Sequence, residues 1–95
     1  MKAILIVTDS EALPRFERTL TGRERGFTVI PELIGKGRGG LKTGDRVHPG
    51  GSSLLFTVVP EAEWAETVGL LKRARDEAGF GAETRMWSFS VDEVL

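Results

Sequence analysis

The amino-acid sequence predicts an α+β domain in the order strand, helix, strand, strand, helix, strand: a four-stranded antiparallel sheet with two helices on one face. Three observations predict it. Four short runs are rich in β-branched or aromatic residues. Two intervening stretches carry apolar residues at helical spacing. The boundaries between them are marked by Gly, Pro, Asp or Ser, the residues that favour turns and helix ends.

Lys2 to Thr8 is the first strand, an apolar run rich in β-branched residues, the mark of a buried strand. Asp9 and Ser10 follow with oxygens able to cap a helix, and Leu13, Phe16 and Leu20 then recur at helical spacing. Gly22 and Gly26 bracket the exit of that helix, where a left-handed residue is expected to stop it. Phe27 to Ile34 is the second strand. Its better core face holds Phe27, Val29, Pro31 and Leu33, and Pro31, which cannot donate to a ladder, marks an edge strand or a bulge.

Ser53 to Val59 is the third strand. Pro60, Glu61 and Glu63 read as a first helical turn, because Pro tolerates that site and carboxylates suit the positive end of a helix. Trp64, Val68, Leu71 and Ala78 continue that helix, with Lys72, Arg73 and Arg75 in its later turns, and Gly79 and Gly81 end it. Ala82 to Ser90 is the last strand, and Val91 to Leu95 is a tail with room for one helical turn. The order is the split βαβ pattern of ferredoxin-like folds. Right-handed crossovers place both helices on one face of the sheet. The other face needs a cover, and Phe56, Trp87 and Phe89 are expected to meet a neighbouring subunit there.

Bulk properties narrow the function. The 95 residues suffice for a single domain over 1–95, and a core of that size gains from oligomerisation. A net charge of −1 provides no field to draw the chain onto nucleic acid or an anionic membrane. With no cysteine there are no disulfides, zinc-thiolate sites or thiol nucleophiles. The apolar run Ala3 to Val7 is too short to cross a membrane, so the expectation is a cytoplasmic protein without membrane insertion.

The anomaly is the connector 35–52. It holds seven of the twelve glycines, and Lys36, Arg38, Lys42 and Arg46 against Asp45 give it a local charge of +3. A hairpin needs about 2–5 residues, and structureless connections beyond about 12–15 are usually functional or disordered. Glycine lets backbone N–H groups converge on an anion, and basic side chains beside them neutralise phosphate or carboxylate. The segment therefore reads as an anion-binding loop, with a solvated hairpin tip as the alternative. Its candidate ligand-binding residues are Gly35, Lys36, Gly37, Arg38, Gly39, Gly40, Lys42 and Arg46.

Other chemistries find less. Gly35, Gly40, Lys42 and Thr43 approach a phosphate-binding Walker loop, but Leu41 intrudes before the lysine and no helix follows. His48 and Asp45 are candidate metal ligands, two where a zinc or copper site ordinarily needs more. A divalent-metal-responsive protein using those two residues, with several His48 copies meeting across an oligomer axis, is the alternative function. No nucleophile elbow and no second histidine are present, so no enzyme is expected. A small enzyme on this scaffold stays open only because the fold hosts many functions.

The chain resembles the PII-type nitrogen-regulatory signalling family and its PII-like relatives. The residues that carry the resemblance are Met1-Lys2-Ala3-Ile4, then Gly35-Lys36-Gly37-Arg38 closing the second strand, and Val91-Asp92-Glu93-Val94 after the last. Gly44-Asp45-Arg46-Val47-His48-Pro49-Gly50 looks like a motif of an uncharacterised PII-like subgroup. The resemblance implies a homotrimer with ligand clefts between subunits, where Gly35, Gly37 and Arg38 would approach a bound ATP, ADP or AMP. It also implies that Leu41 to Ser52 would signal to a transporter or enzyme target. The chain departs from the family in having no Tyr. It carries Gly79-Phe80-Gly81-Ala82 where relatives usually hold a second phosphate loop like Gly-Asp-Gly-Lys.

Overall fold

The computed structural model describes residues 1–37, 40–42, 51–79 and 83–95, with 35–37 and 40–42 described by their backbone course. Eight elements follow one another: β1 (Lys2–Asp9), α1 (Leu13–Gly22), β2 (Thr28–Leu33), β3 (Gly35–Gly37), β4 (Gly40–Lys42), β5 (Ser52–Val59), α2 (Glu61–Glu77) and β6 (Arg85–Ser90). The main sheet has the order β2-β5-β1-β6, and β3 pairs with β4 in a separate ribbon. All the pairings are antiparallel.

The register sorts side chains onto two faces, because successive residues of a strand point to opposite sides. Ile4 pairs with Thr57 and Ile6 with Leu55, while Ser88 and Met86 flank them on β6. On this face Ile4, Ile6, Leu55 and Val59 pack against Phe16 and Leu20 of α1 and Leu71 and Ala74 of α2. Both helices therefore lie on one side of the sheet, as the sequence predicts. The opposite face sets Leu5 between Phe56 and Trp87, with Ala3 between Val58 and Phe89. No element among the described residues covers it, and Trp87 and Phe89 remain 51% and 47% exposed.

Pro31 produces both of its expected consequences. β2 is an edge strand, and its register against β5 shifts between Ile30 and Leu33. Within that irregularity Glu32 adopts a positive φ of 57°.

Four local expectations need correction. Asp9 is still paired in β1, opposite Ser52, so a turn intervenes and the cap falls on Ala12, whose side chain makes no capping bond. The left-handed residue that ends α1 is neither glycine but Glu24, at φ 56°. The amide of Arg25 donates to the Leu20 carbonyl at 2.8 Å and that of Glu24 to Thr21 at 3.0 Å, which is a Schellman closure. β6 begins at Arg85, later than the sequence suggests, with 80–82 outside the described residues. The tail 91–95 forms no helical turn. It is tied by the Val91 amide donating to the Met1 carbonyl at 3.0 Å, and so short a segment cannot meet the cost of nucleating a helix.

Helix α2 behaves as its sequence suggests. Pro60 is its cap, one residue ahead of the first turn in which the sequence places it, while Glu61 and Glu63 sit in that turn and Arg75 in the last. Gly79, at φ +95°, supplies the left-handed turn beyond its end. No described helix is long and apolar enough to cross a membrane.

Candidate functional site

Both glycine-bearing connectors attach at the same end of the sheet. β1 finishes there at Asp9, opposite Ser52 of β5, and Leu33 of β2 pairs with the same serine. Val7 lies opposite Arg85, so the segment entering β6 arrives at that end too.

The exit of β1 fastens the described ends of both connectors. The Ser10 amide donates to the Gly51 carbonyl at 3.2 Å, and the Ser10 and Ser53 hydroxyls meet at 2.7 Å. On the other side the Glu83 amide donates to the Asp9 carboxylate at 3.2 Å, and the Thr8 and Thr84 hydroxyls meet at 2.8 Å. Buried hydroxyls must find partners or lose free energy, so each of these contacts restricts where its connector can start. Thr8, Ser53 and Thr84 are all buried.

Beyond this base rises the ribbon of β3 and β4. Its backbone pairs Gly35 with Lys42, Lys36 with Leu41 and Gly37 with Gly40. The sequence reads 35–52 as a loop without regular structure, and the first part is instead a two-stranded hairpin. Glycine is a poor strand former by entropy, but a ribbon closed after only two residues has little loop entropy to overcome. Of the sequence-predicted ligand residues, Gly35, Lys36, Gly37, Gly40 and Lys42 belong to this ribbon. Arg38 and Gly39, which join its strands, lie outside the described residues, as do Arg46 and the metal candidates Asp45 and His48. Among the described residues no group of three or more His, Asp or Glu side chains gathers to hold a metal.

The residues that sequence reasoning missed are the fasteners. Asp9 and Ser10 read as helix caps, and Ser53 and Thr84 as ordinary strand residues. The signal that could have found them is a run of small hydroxyl side chains on either side of glycine, Ser52-Ser53 after Gly50-Gly51 and Thr84 after Gly81.

An antiparallel sheet of order β2-β5-β1-β6 under two helices defines a ferredoxin-like domain. Among solved structures the chain is similar to CPII, a nitrogen regulatory PII-like protein from Thiomonas intermedia K12 bound to ADP, AMP and bicarbonate. The match has a TM-score of 0.64 at 22% identity and covers 95% of this chain and 86% of that one. A structure of CPII with ADP and bicarbonate gives the same TM-score at 20% identity. The fold of this chain is thus that of a PII-like protein. No family model matches the sequence, and no curated protein matches it either.

Proposed function

We propose that the chain is a PII-like regulator, not an enzyme, that senses a small anionic ligand and acts on a partner protein through residues 35–52. The observation that carries this reading is the glycine ribbon of β3 and β4. It stands where both glycine-bearing connectors attach, on the fold of a protein that binds ADP, AMP and bicarbonate. An adenine nucleotide is the ligand that fits best. Gly35, Gly37 and Gly40 would let backbone amides approach its phosphates, and Lys36, Arg38, Lys42 and Arg46 would neutralise them. The uncovered apolar face supports a homotrimer with the ligand clefts between subunits. Cytoplasmic location follows from the same reading.

The test is thermal unfolding of the purified protein with AMP, ADP, ATP, bicarbonate and zinc in turn. A ligand at 100 times its dissociation constant adds about 2.7 kcal/mol to folded stability, a shift of very roughly 10–20 °C for a domain this small. The expected result is a shift with at least one nucleotide that Arg38→Ala reduces while the melting temperature of the free protein stays put. No shift with any nucleotide or with bicarbonate overturns the reading. A zinc shift abolished by His48→Ala would favour the metal-responsive alternative.

A further inference from the structure

The groove between the helices changes character along its length. Near the start of α2 it is closed by ion pairs, Arg23 to Glu66 at 3.0 Å and Arg25 to Glu63 at 2.9 Å. At the other end Arg15 and Arg18 of α1 stand across from Ala74 and Glu77 of α2, around an open space of about 230 Å³. None of these three charged groups has an ion-pair partner among the described residues. Ala74 is too small to fill the gap. The Thr19 hydroxyl beside it already donates to the Arg15 carbonyl at 2.9 Å.

We propose that this groove binds a small zwitterion, an α-amino acid or a close relative. Its carboxylate would lie against Arg15 and Arg18, and its ammonium against Glu77. The helices run antiparallel, so the start of α1, where Arg15 occupies the first turn, lies beside the end of α2, where Glu77 is the last residue. The positive end of one helix dipole thus adjoins the negative end of the other, with the same polarity as the side chains. Glu77 stands where the dipole disfavours a carboxylate, a cost that a bound ammonium offsets. A bare phosphate would meet repulsion from Glu77 and from the terminal carbonyls of α2. The space lies below the usual range of about 300–1,000 Å³ for larger ligands, which suits a molecule of amino-acid size.

The experiment is an amide NMR titration of the intact chain with glycine and glutamate, and separately with acetate and inorganic phosphate. The amino acids should move the amides of residues 15–19 and 74–78 at concentrations where acetate and phosphate barely do. Arg18→Gln should weaken amino-acid binding about tenfold or more, as expected for loss of a charge-assisted hydrogen bond. Glu77→Gln should weaken the amino acids while strengthening acetate and phosphate, opposite signs that only a mixed-charge site produces. Both side chains are exposed, and unchanged melting temperatures would confirm that both variants fold. No amide movement with either amino acid overturns the proposal. So does phosphate binding the tighter, or Glu77→Gln strengthening every ligand alike.

Discussion

The hydroxyls of Thr8 and Thr84 meet at 2.8 Å inside the protein, seventy-six residues apart in sequence. Each is the other's hydrogen-bond partner in a place that water scarcely reaches. Thr84→Val therefore strands the Thr8 hydroxyl and should cost about 1–3 kcal/mol in urea unfolding. Replacing both threonines by valine removes donor and acceptor together, and the double variant should recover much of that loss. Strict additivity of the two single changes would show that the hydroxyls are not coupled.

Glu24 holds a left-handed conformation that favours glycine. A side chain there costs roughly 1–2 kcal/mol, while glycine loses an extra 0.5–1 kcal/mol of entropy on folding. Glu24→Gly should therefore raise stability by about 0.5–1 kcal/mol. A decrease would mean that the Glu24 side chain contributes something the backbone geometry does not reveal.

These positions show how far the sequence carries. Pro31 was legible because a missing donor has only two homes in a sheet, and β2 supplies both, an edge and a register shift. The placement of both helices on one face was legible from the element order and the handedness of crossovers. Asp9 and Ser10 were misread because a capping oxygen and a loop-fastening oxygen are the same atom, and only the register of β1 against β5 tells which is used. Glu24 was missed because two nearby glycines offered a cheaper left-handed turn that the chain does not take. The ribbon of β3 and β4 was missed because glycine carries almost no strand signal of its own, and its pairing is set by closure of the hairpin.

The two ion pairs between the α1–β2 region and α2 should differ in worth. Arg23 and Glu66 are about half exposed, at 53% and 57%, whereas Arg25 and Glu63 retain 20% and 39%. The Arg25 Nε is buried without a hydrogen-bond partner among the described residues, so its guanidinium is held partly out of water. Solvent screening leaves an exposed pair within about 0.5 kcal/mol of nothing. Double-mutant cycles to alanine should give a coupling of that size for Arg23–Glu66 and about 1 kcal/mol for Arg25–Glu63. Equal couplings would show that exposure does not separate them.

Trp87 offers the sharpest test of assembly. It sits on the uncovered face beside Leu5, half exposed in the single chain. Covering the exposed part would bury about 100 Å² of aromatic surface and contribute roughly 2.5 kcal/mol for each subunit. A glutamate there places a charge against that apolar surface, which costs more than the lost contact. Under the homotrimer proposed above, Trp87→Glu should shift light scattering from trimer toward monomer. Trp64 can report on the fold of that variant. It lies on the helical side of the sheet, its indole N–H donates to the Ser88 hydroxyl at 2.6 Å, and Lys2 sits 5.4 Å from its ring centre. Its emission should hold steady while the assembly falls apart. A wild-type protein already monomeric at micromolar concentration would instead mean that this face serves a different partner or stands open in solution.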